Sequence, residues 1–514
     1  MSSIPSIPKN ISARSAVVLT LAAVAMVRFF LASPASAHVG SPDVFYEGDA
    51  GPYHLFVTVR VPQVIPGVAD IEIRASSDDA REISTAVARL TGPGSKYAPV
   101  PDLATRSKTD PNFFTASLWL MEYGSLRVLI KVRGTRGSAD MSVPVPSVAR
   151  RMLPMPRWLG AILLVLAIGL GLGAIAIVGA AARDAGLAPG ALATPQSRRS
   201  GRRAMAVMTV LVAALFYLGF AWWDADARDY LATTMLFRPP RLSLSLEGAN
   251  HLTLRPSPSD KAWLEYKVMD QLVPDHGHLM HLFLVRTPAL DRLLHLHPDE
   301  TGKGGAFATN LPSLEPGHYD VFADVVDKSG FPWTLVGSID LPQISGAPLS
   351  GDDSEGSAKP VGEATGASQV LADGTRVRWA RDAAPLQANT PMILRFMVQD
   401  QNGRPATDLE PYMGMAAHAE IIRSDRSVFA HIHPSGSVPM AALMMASADN
   451  SASAAAPMAE MNMSSETNPP GAPASVSPEI SMPYGFPQPG LYRIFLQFKR
   501  AGKIDTAVFD AQVK

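Results

Sequence analysis

Cysteine is absent from all 514 residues, which removes thiolate metal sites, disulfide scaffolds and cysteine nucleophiles at once. Neither sign of charge prevails. Lys and Arg number 45 against 46 Asp and Glu, for a formal net charge of −1, and no large basic or acidic block stands out. That balance argues against nucleic acid as a partner. Also missing are a nucleophile elbow, a phosphate-binding Gly-rich loop and a His-Glu-x-x-His helix. Any soft metal ligand must come from the 22 methionines. The length exceeds one ordinary domain, so several are expected.

What is present is a duplicated histidine pattern. His281-x13-His295-Leu-His297-Pro298 is followed by His418-x12-His431-Ile-His433-Pro434. Gly277 stands four residues before His281, as Gly414 does before His418. Pro316-Gly317-x-Tyr319 matches Pro489-Gly490-x-Tyr492. Nine of the 12 histidines fall between His276 and His433, and imidazole binds borderline transition metals. Segments 293–298 and 428–434 alternate polar with apolar residues, as strands do. Side chains two apart on a strand share a face, so His295 should align with His297, and His431 with His433. His281 and His418 head strands of their own, and a short turn would place each on the same face as its His-x-His pair. Three imidazoles in each repeat, with an open position, would suit copper or zinc.

The N-terminus has the form of a secretory signal over 1–37. Lys9 and Arg14 precede the apolar run 16–27, and Ala35-Ser36-Ala37 fits a cleavage site. Arg28 interrupts the apolar stretch, which leaves an uncleaved anchor open. Cleavage after Ala37 would expose His38, whose amine and imidazole together can chelate a metal. Residues 159–182 carry no charge over 24 positions and 204–223 add 20 more, so two transmembrane helices are expected at 158–182 and 204–223. The intervening loop, 183–203, holds five Arg and one Asp, which the positive-inside rule assigns to the cytoplasm. Neither span has an internal ionisable residue, so the helices read as an anchor. The large flanking regions would then share the opposite compartment, facing the periplasm from an inner membrane.

Those outer regions read as mainly β: three immunoglobulin-like or cupredoxin-like β-sandwich domains beside the two transmembrane helices. The first spans 38–150, with alternating strands near 55–61 and 69–74 and a hairpin expected over 115–132 around Tyr123-Gly124. The first repeat spans 241–342, a Gly/Ser-rich linker 343–368, and the second repeat 369–514. Segment 393–400 aligns with 263–270, so whole domains are duplicated. The copies differ after the His-x-His strand. Pro298 to Pro316 is 18 positions, whereas Pro434 to Pro489 is 55. The insertion, about 435–482, is Ala/Ser/Pro-rich, is expected to be disordered, and carries Met440, Met444, Met445, Met458, Met461, Met463 and Met482. Thioethers favour Cu(I) or Ag(I). The loop before His281 holds Asp275, His276 and His278, where the second repeat has Met413 and Met415. A harder first site and a softer second one would follow.

With Gly277, His281, His295, His297, Pro298, Pro316, Gly317, Tyr319 and their second-repeat equivalents, the repeats resemble secreted bacterial β-sandwich domains with a His…His-x-His-Pro…Pro-Gly-x-Tyr signature, a group associated with heavy-metal handling. The N-terminal domain is more distantly similar to CopC-type or YtkA-type copper-associated sandwiches. The resemblance implies periplasmic copper handling without a defined reaction, among envelope metal-transport or oxidase partner proteins. Three readings follow. The first is a membrane-anchored metal-binding protein for copper, with zinc or silver as alternatives. The second is a metal-independent scaffold of the cell envelope, and the third an enzyme on a three-His centre. Glu420, two residues after His418, is the one obvious carboxylate for a general base in the third. A binding role without catalysis is the expectation.

Overall fold

The computed structural model describes residues 43–514 except 152, 154, 189, 233–235, 258–270, 303–304, 364–365, 382–383 and 449–475, and adds the backbone of 38–39; for 230–232 it likewise describes only the backbone. The expected signal segment 1–37, segment 263–270 and Met458, Met461 and Met463 lie outside the described residues. The protein is mostly β, in several largely antiparallel sheets, with two long apolar helices.

In the N-terminal domain a five-stranded sheet faces a four-stranded one. Val44–Ala50, Tyr53–Arg60, Gly67–Ala75, Phe113–Leu120 and Thr105–Arg106 form the first, and Gly137–Ser147, Gly124–Gly134, Ala80–Arg89 and Asp102–Leu103 the second. Alternation fixes the inner face: Leu55, Val57 and Val59 are buried with Ile71, Ile73, Val128 and Val132. The hairpin expected over 115–132 does not form. Phe113–Leu120 pairs with Gly67–Ala75, and Gly124–Gly134 pairs with Gly137–Ser147 and Ala80–Arg89 in the opposite sheet. Residues 121–123 therefore arch across the sandwich. Both flanking strands have an apolar face, and in the arch both faces reach the same core.

Two helices follow, Arg157–Asp184 and Pro195–Ala232, both long and apolar enough to cross a membrane. They pack as an antiparallel hairpin, with Gly171 against Val212 and Phe216 and Gly179 against Met205. The second helix starts earlier than its apolar run. Thr194 caps it through Oγ1 to the Ser197 N–H at 3.1 Å, so Arg198, Arg199, Arg202 and Arg203 lie on helical turns and not in a loop.

Among the described residues, each repeat pairs a four-stranded sheet with a six-stranded one, that of the second including His38–Val39 at its edge. The six-stranded sheet of the first holds His281–Thr287, Arg292–Leu296 and Gly317–Asp327; that of the second holds His418–Arg423, Val428–Ile432 and Gly490–Arg500. These sheets are buried on both faces. Leu282, Leu284, Leu294 and Leu296 enter their own core, while Phe283, Val285 and Leu293 pack against Ile422, Phe429, Phe495 and Val508 of the other repeat. Phe322 stacks on Phe429 at 4.2 Å with planes 4° apart. Arg493, fully buried, pairs with Asp510 at 2.8 Å and donates across the junction to the Leu290 carbonyl.

The stretch that reads as a linker contributes a strand, Ser354–Ser357, to the edge of the first repeat's sheet beside Arg292–Leu296. The Met-rich insertion opens with a helix, Met440–Ala448, whose Ala442, Leu443 and Ala446 join the N-terminal core, and Met482 is buried in the second repeat's core. The N-terminal domain also bonds to the segment after His433, through Glu47 N–H to the Ser435 carbonyl at 2.9 Å and Ser437 N–H to the Phe45 carbonyl at 3.0 Å. Gly436 makes that approach possible, since a Cβ there would collide with the Phe45 carbonyl.

Phe429→Ala should cost about 3–5 kcal/mol in a denaturant melt, because it empties a closed aromatic contact between repeats. A cost under about 1 kcal/mol would mean that the two six-stranded sheets are not held together by this layer.

Candidate metal centre

The face that docks the repeats also carries the histidines. His281, Phe283 and Val285 alternate on one strand, with Phe283 registered opposite His295 on the next. In the second repeat His418, Glu420 and Ile422 alternate, with Glu420 opposite His431. Leucines in the first repeat, and alanines and isoleucines in the second, fill the intervening positions and face each sandwich's own core. Six imidazoles thus meet at one end of the interface, side by side with its phenylalanines.

Among the described residues two triads could each hold a metal ion, their ligand atoms lying within 4.8 Å of one another: His281, His295 and His297, and His276, His418 and His433. In the first, each ring has one nitrogen occupied. His281 Nε2 donates to the Asp275 carbonyl at 3.1 Å. Acceptors surround His295 Nδ1: Gln497 Oε1 at 2.9 Å, and the Tyr412 hydroxyl, which donates its own proton to the Asp352 carbonyl. His297 Nδ1 donates to Asp353 Oδ1 at 3.0 Å, an oxygen that also takes the His297 N–H. With Gln497 turned so that Oε1 faces His295 Nδ1, the remaining nitrogens carry lone pairs. His281 Nδ1 and His295 Nε2 stand 3.1 Å apart, and buried His297 Nε2 has no hydrogen-bond partner. Two lone pairs so placed repel, unless a cation lies between them. Nitrogens about 2.0 Å from a tetrahedral ion are separated by about 3.3 Å, so the spacing fits a coordination edge. The outer carbonyl, amide and carboxylate are the partners that orient metal-bound imidazoles.

The second triad crosses the domain boundary. His276 and Gly277 take positive φ of 50° and 88° in a tight turn, as Met413 and Gly414 do at 50° and 77° in the equivalent loop. The two turns touch: His276 Nδ1 donates to the Met413 carbonyl at 2.8 Å, which leaves Nε2 to face His418 and His433. His276 Nε2 and both nitrogens of His418 and His433 are buried without partners among the described residues.

The sequence grouped His418 with His431 and His433. In the structure the third ligand atom beside His418 and His433 belongs to His276, and His431 lies between the triads, 5.5 Å from the His281 and His418 rings and 5.6 Å from His295. Its Nδ1 is 3.5 Å from Asp324. His278 stacks on His297 at 3.9 Å and reaches Asp352 at 3.2 Å. His276 crosses over to His418 and His433, Met413 offers its carbonyl to His276, and Met415 pairs its backbone with Tyr412. The backbone of His38 lies parallel to Val428 at the sheet edge, and its side chain is outside the described residues. Sequence reading missed the outer residues. Asp352 and Asp353 sit in an unremarkable Gly/Ser stretch, and Gln497 and Tyr412 carry no spacing signal.

Beside the cluster, at the junction with the N-terminal domain, is a cavity of about 130 Å³ lined by His281, His431, His433, Asp275 and Asp324 among others. Asp275 also caps the insertion helix, accepting the Ala441 N–H at 2.7 Å.

Burial holds His281, His295, His418 and His433 well below the ordinary histidine range, and the neighbouring imidazoles add to the effect. His276 and His297 are lowered as well, again chiefly by desolvation. Burial pushes the Glu420 carboxyl well above its usual range.

Comparison with known proteins leaves the family open. The family model described as "Domain of unknown function (DUF8832)" matches residues 368–514, the second repeat. No curated protein matches. Among solved structures, an engineered protein is 14% identical, covering 18% of this chain and 20% of its own, with a TM-score of 0.15. A tetra-tandem repeat from the extending region of a large adhesion protein is 9% identical, covering 88% and 97%, with a TM-score of 0.15. The ICAM-5 D1–D4 ectodomain fragment is 7% identical, covering 90% and 77%, with a TM-score of 0.14. Likenesses this loose carry no functional argument, so the function has to be argued from the site.

Six histidines with lowered values make the metal-free protein sensitive to acid. As pH falls through about 6.5 the unfolded chain takes up protons that the folded chain refuses, so stability declines. Glu420, raised in the folded state, opposes this with a single proton. The melting temperature of metal-free protein should therefore fall between pH 7.5 and 5.5. A flat profile would show that these imidazoles are not buried neutral.

Proposed function

We propose that this chain is a membrane-anchored periplasmic metal-binding protein that sequesters or delivers copper, one ion to each all-imidazole triad between its two repeats. The observation that carries the reading is the 3.1 Å approach of His281 Nδ1 and His295 Nε2, both left with lone pairs by their outer partners. Neutral nitrogen ligands suit copper and zinc, and copper holds the stronger place in the affinity order of divalent ions. Methionines 458, 461 and 463 follow the second triad in sequence and supply soft donors for Cu(I) or Ag(I). The signal-like N-terminus and the absence of cysteine suit an oxidising outer compartment. The helix hairpin returns the chain to the side it left, in keeping with the contacts between the N-terminal domain and the repeats. We assign a binding role, without catalysis, in exchange with metal-transport or oxidase proteins of the envelope.

The detergent-solubilised full chain should retain two equivalents of copper. His295→Ala/His297→Ala should lose one of them, and His276→Ala/His418→Ala the other. The His276 result is diagnostic, because that residue belongs to the first repeat. Titration with Cu(I), Cu(II) and Zn(II) that shows no binding tighter than a free His/Met peptide would reduce the repeats to a scaffold. Reporter fusions in the basic segment 185–203 and at the C-terminus should report opposite compartments, and a shared compartment would overturn the membrane hairpin.

A further inference from the structure

One end of the N-terminal sandwich gathers both stretches of chain that lead to the helices. The Arg150 and Arg151 N–H groups donate to the Gln63 carbonyl at 2.8 and 3.2 Å, and the Phe237 N–H donates to the Ala149 carbonyl at 2.7 Å. The arch at 121–123 joins the same end. Its Tyr123 hydroxyl donates to the Ile65 carbonyl at 3.1 Å, and Ser147 Oγ donates to the Glu122 carbonyl at 2.7 Å. From Arg151 the chain takes six steps to the first helix at Arg157, and from the end of the second helix at Ala232 it takes five to Phe237. Five or six extended residues reach about 20 Å at most. Two short tethers therefore hold this end of the sandwich over the helix hairpin.

At the same end the surface turns apolar. The outer face of Gly67–Ala75 and Phe113–Leu120 is polar along most of its length, with Asp70, Glu72, Arg74, Thr115 and Ser117. At its Gly67 end stand Val68 and Trp119, registered opposite each other, and Met121 and Tyr123 follow in the arch. Trp119 and Met121 are each 61% exposed, against the usual burial of large apolar side chains. Leu153 and Met155, in the tether to the first helix, are exposed as well. Exposed apolar side chains mixed with Trp and Tyr are the composition of a bilayer interface, where aromatic rings sit at headgroup level. Tether length selects the occupant. A folded domain of 100 residues, with a radius of gyration of about 13 Å, is about 30 Å across and too wide for the gap.

We propose that this end of the N-terminal domain is a lipid-binding surface, with Val68, Trp119, Met121 and Tyr123 seated in the headgroup region of the bilayer that the helices cross. This rests on the membrane hairpin and goes beyond it, since an anchor alone leaves the domains free to swing on their tethers. Once seated, the N-terminal domain is a platform. Through its backbone bonds to Ser435 and Ser437 it fixes the repeats relative to the membrane.

The absence of cysteine lets single nitroxide labels be placed without background. Val68→Cys, Met121→Cys, Ser138→Cys and Val165→Cys are each labelled in the full chain and reconstituted in phosphatidylcholine–phosphatidylglycerol vesicles. Collision with oxygen and with a water-soluble nickel chelate is then read by electron paramagnetic resonance. Ser138 lies at the far end of the sandwich, and Val165 within the first helix. The oxygen-to-nickel ratio at Val68 and Met121 should exceed that at Ser138 by about threefold or more. Adding Trp119→Ser should lower the ratio at Met121, because it removes the largest side chain of the seat. Ratios at Val68 and Met121 equal to that at Ser138 would put the surface in water and overturn the proposal. Labels shielded from both reagents would overturn it in favour of a protein contact, from a second copy or another part of the chain. A water-exposed label at Val165 would instead remove the membrane hairpin, and the lipid-binding surface with it.

Discussion

Both six-stranded sheets are buried on both faces, and the rest of the site depends on that constraint. A strand side chain points to one face or the other with period two, so a residue that is not in its sandwich's own core must face the other repeat. On His281–Thr287 the second face reads His281, Phe283, Val285; on His418–Arg423 it reads His418, Glu420, Ile422. The apolar members close the interface, and the polar members at one end are sealed by that closure. Polar groups sealed in this way need partners, and the imidazoles have only part of what they need among themselves and their carbonyl and carboxylate neighbours.

The repeats meet as an approximately two-fold pair within one chain. His295 of the first repeat reaches Gln497 of the second, and His431 of the second reaches Asp324 of the first; Gln497 and Asp324 stand opposite the equivalent residues His418 and His281 in their own sheets. The His276 turn touches the Met413 turn that mirrors it. Self-complementary contact of this kind belongs to isologous dimers, and gene duplication makes it available to a monomer. Covalent linkage then frees the halves to diverge. Phe283 against Glu420 and His276 against Met413 are divergences at the cluster itself, and together they turn two equivalent three-His sets into an unequal pair.

Much of this was legible in the sequence, and what was not has a physical explanation. Spacing on strands was enough to place His281, His295 and His297 on one face, because strand periodicity is local. It could not reveal that His276 would replace His431 beside His418, since that depends on how two domains dock. Asp352 and Asp353 were hidden for the same reason: a short Gly/Ser-rich stretch gives no periodic signal, and its strand Ser354–Ser357 is specified by the sheet edge that receives it. The arch at residues 121–123 was misread as a hairpin because two apolar strands joined by a Tyr-Gly turn look alike in sequence whether they pair or oppose. Composition likewise made the whole insertion look disordered, although Met440–Ala448 finds an apolar groove on the N-terminal domain.

The energetics of the metal-free state connect these features. A buried polar nitrogen without a partner costs about 1–3 kcal/mol, and this cluster has several. The packed layer of Phe283, Phe322, Phe429 and Phe495 supplies the opposing term, holding the sheets in register. Side chains preset by apolar packing would need no ordering by a metal. An ion that binds only the docked arrangement must in turn stabilise docking by its own binding free energy. On the proposed metal binding, occupancy and the closure of the two repeats would be one equilibrium, and Asp275, which bonds both His281 through its carbonyl and the insertion helix through its carboxylate, would extend it to the N-terminal domain on which the helix rests.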